Sequence, residues 1–77
     1  MIETIRLRVE YDRIDSLILD SLKYSDLTVN QLQAIISHKL QEDISSMIIY
    51  DKLTFLIFIG KVRKERKNVR VFKYSIV

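Results

Sequence analysis

The clearest pattern of hydrophobic positions lies in residues 45–60, SSMIIYDKLTFLIFIG. Ile49, Leu53, Leu56 and Gly60 follow one another at spacings of four, three and four residues, which is the period of one face of an α-helix. The glycine comes at the end of the stripe, where helices commonly stop because glycine accepts a left-handed conformation. The pattern therefore predicts a helix, helix 3, that ends at Gly60.

After Gly60 the period changes to that of a β-strand. Val69 and Val71 begin an alternation that continues toward Ile76, as expected for a strand with one buried face. Val62 lies in a partner strand, reached across a turn at Lys67-Asn68. We therefore predict a two-stranded hairpin, with Asn68 supplying a left-handed conformation at its tip.

Helix 3 also allows a second interpretation. It is rich in β-branched and aromatic side chains, which favour strands. Residues 53–59 could form a buried strand that follows residues 47–50 across a turn at Asp51-Lys52. This alternative predicts a small α+β sheet protein.

The N-terminal part of the chain predicts a strand and then a helix. Ile5, Leu7 and Val9 alternate with charged residues in an N-terminal strand over residues 1–11. From residue 12 or 13 to about Tyr24 the apolar spacing is helical, and this segment is helix 1.

Helix 2 begins with a capping box, in which the side chains of Thr28 and Gln31 each bond the backbone N–H of the other. Leu27, just before it, is expected to form a brief extended segment. Asp43 or Ser45 is expected to cap helix 3. Helix 2 should point its apolar residues inward, and these are Leu32, Ile35, Ile36 and Leu40. It should point its polar residues outward, and these are Gln33, Ser37, Lys39 and Gln41.

Length and composition indicate one small domain, in which residues 1–11 form the strand, residues 12–60 the three helices and residues 61–77 the hairpin. With 77 residues, 48% of them hydrophobic, the chain has a marginal core that a partner chain would help to stabilise. It contains no cysteine, and no secretion signal is evident, so a cytoplasmic location is expected. The absence of proline and the single glycine fit a thermophilic source.

The net charge of +3 is unevenly distributed. Residues 61–77 contain seven Lys and Arg and one Glu, a net charge of +6, whereas residues 1–60 contain six Lys and Arg and nine Asp and Glu, a net charge of −3. A positive tip on a mildly acidic body is typical of proteins that bind nucleic acid. The alternative is a solvated hairpin with no such role.

Nothing in the sequence predicts an enzyme. There is no nucleophile beside a base, no glycine-rich phosphate loop, and no cluster of residues at metal-ligand spacing. We expect no catalytic residue, metal, cofactor or small-molecule ligand. The longest apolar run, Phe55 to Ile59, is too short to span a membrane, so no membrane association is expected.

The order of elements resembles that of winged helix-turn-helix DNA-binding domains, including small regulators of the MarR/ArsR type and those of archaeal viruses and plasmids. The resemblance rests on the Thr-capped helix 2, TVNQLQAIISHKL, on Leu53-x-x-Leu56-x-x-x-Gly60-x-Val62, and on the charged hairpin that follows. It covers about three quarters of the chain. It implies an α+β fold of three helices with a C-terminal wing, to which this chain adds the N-terminal strand.

The resemblance also implies which residues contact DNA. The first two turns of helix 3 would enter the major groove, and the wing would bind the backbone or the minor groove. The implied contacts from helix 3 are Ser45, Ser46, Met47, Tyr50, Lys52 and Thr54, with Asp51 beside them. Those from the wing are Arg63, Lys64, Arg66, Lys67 and Arg70. The start of helix 2 could bind phosphate through Asn30, Gln31 and Gln33.

One feature is unusual for such a domain, because Ile57, Phe58 and Ile59 are apolar where charges are usually exposed. We hypothesise that Ile57 and Phe58, together with Ile5, Leu7 and Val9, form a dimer contact or an extension of the wing sheet. The predicted function is that of a homodimeric transcriptional regulator that binds specific double-stranded DNA. The alternative is a protein-protein interaction module, since winged helices also serve as adaptors.

Overall fold

The computed structural model describes residues 13–77, and the predicted N-terminal strand with Ile5, Leu7 and Val9 lies outside them. The described chain is a small α+β fold of three helices followed by an antiparallel hairpin. Helix α1 covers residues 13–22, α2 Val29–Leu40 and α3 Ser46–Phe58; strand β1 covers Val62–Arg66 and β2 Phe72–Ile76. The alternative that placed strands in residues 47–59 is wrong, because α3 occupies all of that stretch but its last residue.

Helix α1 forms because its apolar residues recur once per turn. Ile14, Ile18 and Leu22 lie four residues apart and are all buried, so they present one stripe to the core. The hydroxyl of Ser21, which is also buried, donates to the carbonyl of Leu17 at 2.8 Å. This bond satisfies the hydroxyl within the helix.

The predicted capping box of α2 is confirmed. The Thr28 hydroxyl accepts from the N–H of Gln31 at 3.2 Å, and the Gln31 side chain accepts from the N–H of Thr28 at 2.9 Å. Leu32 and Ile36 are buried one turn apart. The box therefore sets the start of α2 at a point that turns its apolar face toward α1 and α3.

The turn after α2 is made without glycine. Gln41 takes a left-handed conformation, with φ 53° and ψ 42°, and its N–H donates to the carbonyl of His38 at 3.2 Å. The next N–H, of Glu42, donates to the carbonyl of Ser37 at 3.1 Å. This pair of bonds is the Schellman motif that closes many helices.

Two polar side chains of α2 also hold this turn, although the sequence pattern predicted them to point outward. Nε2 of Gln33 donates to the carbonyl of Ile44 at 3.0 Å, and the hydroxyl of Ser37 accepts from the N–H of Ile44 at 3.0 Å. Ile44 is itself buried. The outward prediction for Gln33 and Ser37 is therefore wrong, because an irregular segment with a buried residue needs partners for its backbone groups.

Helix α3 has a hydroxyl cap at one end and a glycine at the other. Ser45 is the N-cap, and its side chain accepts from the N–H of Ile48 at 3.4 Å. At the other end Gly60 has φ 79°, and its N–H donates to the carbonyl of Ile57 at 3.0 Å. The N–H of Lys61 donates to the carbonyl of Leu56 at 2.9 Å, so the predicted stop at Gly60 is a second Schellman motif.

The two strands pair in a register that runs from Val62 opposite Ile76 to Arg66 opposite Phe72. On its other side β2 meets the predicted extended segment, since the backbone groups of Leu27 and Tyr74 exchange two hydrogen bonds, at 3.1 and 2.8 Å. Tyr74 thus lies in the middle of three extended segments. This bridge holds the hairpin against the start of α2.

The hairpin tip differs from its prediction. Strand β2 begins at Phe72, so Val69 and Val71 belong to the tip rather than to a strand. Asn68 has no positive φ. Instead, its Oδ1 accepts from the N–H groups of Arg70 and Val71 at 2.9 and 3.0 Å. The left-handed prediction for Asn68 is wrong, because its side chain takes the place of a backbone acceptor in closing the turn.

The core lies between the three helices and the base of the hairpin. All five described elements and the two segments that connect the helices contribute to it, with these buried apolar residues: Ile14, Ile18, Leu22, Leu27, Val29, Leu32, Ile36, Ile44, Ile49, Leu53, Leu56, Val62 and Tyr74. The tip of the hairpin extends beyond this core into solvent.

Candidate nucleic-acid interface

The exposed face of α3 is formed by residues that recur at spacings of three and four. Met47, Tyr50, Thr54 and Phe58 are exposed and fall on one side of a helix with 3.6 residues per turn. Asp51 is exposed among them. Three of the predicted DNA contacts, Met47, Tyr50 and Thr54, are therefore brought together on one accessible surface, which we call the α3 face.

Lys52 does not belong to the α3 face. Its Nζ lies 3.6 Å from Oδ2 of Asp15 in α1, and its side chain is only 11% exposed. The predicted contact from Lys52 is thus directed to a neighbouring helix, and α3 contains no other cation. Ser45 is occupied by its capping bond and Ser46 is half-buried, so neither side chain stands out on this surface.

The predicted cations of the wing divide into two groups according to the face of the hairpin that bears them. Arg63 and Lys67 approach Glu65, at 3.5 and 3.2 Å, and Nε of Arg63 also donates to the hydroxyl of Ser75 at 3.1 Å. Glu65 partly neutralises this face. Ion pairs this exposed contribute only about 0–1 kcal/mol each to stability, so a phosphate could replace Glu65 as the partner of either cation.

The other face of the hairpin combines cations with aromatic rings. Nζ of Lys64 lies 4.2 Å from the centre of the Phe72 ring and 5.9 Å from that of Tyr74, and the Arg66 guanidinium lies 5.8 Å from Phe72. Such contacts hold a cation over a ring without neutralising its charge. Positive charge on this face therefore stays available to an anion.

Arg66 has a structural role that the sequence did not predict. Its Nε and one terminal nitrogen donate to the carbonyls of Asn68 and Val69, at 3.3 and 3.2 Å. The side chain thus closes the tip of the hairpin. The guanidinium of Arg70, on the same tip, has no partner among residues 13–77.

A cavity of about 180 Å³ lies where the hairpin meets α2 and α3. It opens between the first turn of α2, the middle of α3 and strand β2. Its lining residues are Thr28, Val29, Asn30, Tyr50, Arg70, Val71, Phe72 and Tyr74. Because Tyr50 belongs to the α3 face and Phe72 to the aromatic face of the hairpin, the cavity joins these two surfaces into one.

Tyr74 lines this cavity and is 2% exposed. Burial raises the pKa of its hydroxyl above the ordinary value, and the nearby Tyr50 raises that pKa further. The hydroxyl therefore stays protonated, as a hydrogen-bond donor, at neutral pH.

The cavity was not predicted from the sequence, although one signal pointed toward it. A capping box bonds the N–H groups of the N-cap and of the third helical residue, and leaves those of the first two helical residues free. These are Val29 and Asn30, and both line the cavity. Of the predicted phosphate contacts in α2, Gln31 is occupied by the box and Gln33 by Ile44, which leaves Asn30.

The C-terminal half of α3 and the residue that follows it expose several apolar side chains. Phe58 is 88% exposed and Phe55 51%, and Ile57 and Ile59 are also exposed. Ile57 and Phe58 are two of the predicted interface residues. Together with Met47 and Tyr50 they make the accessible surface of α3 largely apolar and leave the positive charge to the hairpin.

No family model matches this sequence, and no curated protein is significantly similar to it.

Within residues 13–77 no group of His, Cys, Asp and Glu side chains is arranged to hold a metal ion. None of the helices in that part of the chain is long and apolar enough to cross a membrane.

Proposed function

We propose that this protein is a transcriptional regulator of the winged helix-turn-helix type that binds specific double-stranded DNA as a homodimer. The observation that carries the proposal is the continuity of two surfaces across the cavity. The α3 face has the size and exposure of a helix that enters a major groove, and the basic hairpin adjoins it.

In this proposal the hairpin supplies most of the affinity. The α3 face carries no cation and includes Asp51, so α3 adds little attraction for phosphate. Lys64, Lys67 and Arg70 would lie along the backbone or in the minor groove, where each phosphate contact releases a counterion. Binding is therefore expected to weaken steeply with salt.

Helix α3 supplies the sequence discrimination. Met47 would make apolar contact with a thymine methyl group, and the hydroxyls of Tyr50 and Thr54 would meet base edges or phosphates. A homodimer would place two copies of α3 on two half-sites. The exposed Ile57 and Phe58 are candidates for the contact between the copies, because apolar patches of this kind mark interfaces.

The test compares two variants with the same change in net charge. The wing variant is Lys64→Gln/Lys67→Gln/Arg70→Gln, which leaves the structural bonds of Arg63 and Arg66 in place. The control is Arg13→Gln/Lys23→Gln/Lys39→Gln, which removes three exposed cations outside the hairpin. Binding to a short fluorescent DNA duplex is measured by anisotropy over a series of salt concentrations.

The wing variant should lose most of its affinity, and its slope of log affinity against log salt should be smaller by about 3, because each phosphate contact contributes about 0.9. The control should bind nearly as the native protein does. Equal losses in the two variants would mean that only net charge matters. Native affinity in the wing variant, with an unchanged circular dichroism spectrum, would overturn the proposal.

A second candidate is an adaptor that binds another protein through α3. It is favoured by the largely apolar surface of α3, above all by Phe58 and Phe55. An adaptor has no need of the hairpin cations, so under this candidate the native protein and the wing variant bind duplex DNA equally weakly. The same titration therefore separates the two functions.

A further inference from the structure

The hydrogen bonds of the hairpin show which backbone groups of β1 remain unpaired. At the two ends of the ladder, the N–H of Lys67 donates to the carbonyl of Val71 at 2.9 Å, and that of Val77 to the carbonyl of Lys61 at 3.2 Å. Backbone groups alternate between the two edges of a strand, and in the observed register these bonds assign the odd-numbered residues of β1 to the edge that faces β2. The even-numbered residues therefore direct their N–H and C=O groups away from β2.

These outward groups have no partner among residues 13–77. The even-numbered residues are Val62, Lys64 and Arg66, and none of their N–H or C=O groups makes another bond there. Val62 is buried, whereas Lys64 and Arg66 are exposed. The far edge of β2, by contrast, is bridged through Tyr74 and Leu27. The accessible part of the β1 edge thus offers one donor and one acceptor from each of two residues to a further strand.

The charges around β1 select the kind of strand that could pair there. Residues 61–67 contain five Lys and Arg and one Glu, a net charge of +4. The single carboxylate lies near Arg63 and Lys67, on one face of the hairpin. The other face bears Lys64 and Arg66 and no acidic side chain of the hairpin. Acidic side chains directly opposite these two cations would make favourable cross-strand pairs.

The same charges disfavour a second copy of β1. Because only every second residue offers outward groups, a two-fold axis that relates two paired copies must pass through a residue and place it opposite itself. Every residue of β1 after Val62 is charged, so like charges would meet at the axis in each register on the accessible edge. Like charges directly opposite one another destabilise a pair of strands.

We propose that the accessible edge of β1 binds an extended acidic segment of another protein as an added antiparallel strand. In this mode the main-chain bonds supply affinity, and alternate side chains supply specificity. Residues directly opposite one another share a face of the sheet, so acidic residues would alternate along the segment and face Lys64 and Arg66. Under the proposed function the segment would also cover wing cations and compete with DNA, and this part of the proposal rests on that function.

The first measurement uses the full chain and a short synthetic peptide in which Thr and Glu alternate. In amide NMR spectra the peptide should shift the resonances of Lys64 and Arg66 in a saturable way, and it should slow the hydrogen exchange of both amides. A peptide with Gln in place of Glu should bind much more weakly, because it lacks the charge. Equal binding of the two peptides would overturn the selection of an acidic segment, and no shift with the Glu peptide would overturn the proposal.

Two methylated peptides separate strand addition from plain attraction of charge. In an antiparallel pair, opposed residues of the bonded type exchange both of their hydrogen bonds, so the N–H groups of the Glu residues should face β1. Methylation of the Glu backbone nitrogens removes these donors, whereas methylation of the Thr backbone nitrogens removes donors on the far edge. Both peptides keep the same charge. The Thr-methylated peptide should bind as the unmodified one does, and the Glu-methylated peptide should lose at least about tenfold; equal binding would mean that no strand is added.

A matched pair of variants tests the edge on the protein itself. Lys64→Pro removes an N–H that β2 does not use, and proline is tolerated where the N–H of an edge strand faces solvent. Lys64→Ala loses the same cation but keeps the N–H. The peptide should bind about three- to tenfold more weakly to Lys64→Pro than to Lys64→Ala, since one neutral hydrogen bond contributes about 0.5–1.5 kcal/mol and 1.4 kcal/mol is tenfold. Equal binding by the two variants, both with native-like amide spectra, would contradict the edge; if Lys64→Pro does not fold, the methylated peptides decide.

Competition with a fluorescent duplex separates this edge from the proposed function. If both hold, the unmodified peptide should displace the duplex, and the Glu-methylated peptide of equal charge should not. If the peptide binds as expected but the native protein binds no duplex, the edge is supported and the proposed function fails. If the duplex binds and the peptide shifts neither amide, the edge is wrong and the wing titration still decides the function. If peptide and duplex bind together, the competition is wrong and the edge is supported.

Discussion

Gln41 carries a backbone strain that glycine would relieve. In the left-handed region, where φ is 53° and ψ is 42°, the Cβ of an L-residue lies too close to the following carbonyl oxygen, at a cost of roughly 1–2 kcal/mol. The conformation is imposed by the Schellman bonds to the carbonyls of His38 and Ser37. The Gln41 side chain is exposed, so a substitution here removes no core contact.

We therefore expect Gln41→Gly to stabilise the protein. The relief of strain is partly offset by the greater freedom of glycine in the unfolded chain, about 0.4–1 kcal/mol, which leaves a gain of about 0.5–1 kcal/mol in the free energy of unfolding. For a domain of this size the gain corresponds to a rise in Tm of about 2–8 °C. Thermal unfolding followed by circular dichroism measures it.

Two control variants isolate the cause. Gln41→Ala removes the polar side chain but keeps Cβ, so its Tm should stay close to the native value. Gln41→Asn should lie between Ala and Gly, because asparagine tolerates the left-handed region better than most residues. A Tm for Gln41→Gly at or below the native value would refute the assignment of strain to this residue.

Substitutions at three other residues test further features. Asn68→Ala removes the acceptor for two N–H groups at the exposed hairpin tip, and should lower the free energy of unfolding, measured with urea, by about 1 kcal/mol. Asn68→Asp keeps the acceptor and should lower it less. Equal losses in the two variants would contradict the role of Asn68 as an acceptor. Burial, and to a smaller extent Tyr50, raises the pKa of Tyr74 above its ordinary value of 10.0. The stability that the protonated hydroxyl contributes is thus complete below pH 10 and is lost as the pH rises through the pKa of the folded protein. Above pH 10 the free energy of unfolding, measured with urea, should therefore fall less in Tyr74→Phe than in the native protein. Equal falls in the two proteins would argue against this. Phe58→Glu should convert a homodimer to a folded monomer in sedimentation, and a folded variant of unchanged mass would exclude Phe58 from the dimer contact.

Local signals of the sequence determined where α2 starts and where α3 ends. The Thr28 and Gln31 pair set the start of α2, and Gly60 set the end of α3, because caps depend on one or two residues and on backbone groups within a turn of them. The alternation toward Ile76 likewise predicted the hairpin, although its second strand begins later than predicted, at Phe72. Such features need no knowledge of distant parts of the chain.

The packing of distant elements decided what the side chains near the candidate site do. Lys52 follows the pattern of an exposed cation, but it faces Asp15 because α1 packs beside α3. Gln33 follows the pattern of a solvated residue, but it bonds Ile44 across the turn. Arg66 closes the hairpin tip, which required the path of the backbone there.

The cavity between α2, α3 and β2 depended most of all on the tertiary structure. The sequence by itself determined that the N–H groups of Val29 and Asn30 are free, since the capping box leaves them so. Only the tertiary structure, through the pairing of Leu27 with Tyr74, decided that Val29 and Asn30 line the same cavity as Arg70 and Tyr74. That pairing brings residues more than forty positions apart in the chain into contact. Helix caps can be predicted from a sequence because they depend on neighbouring residues, whereas a cavity forms only where separate elements meet.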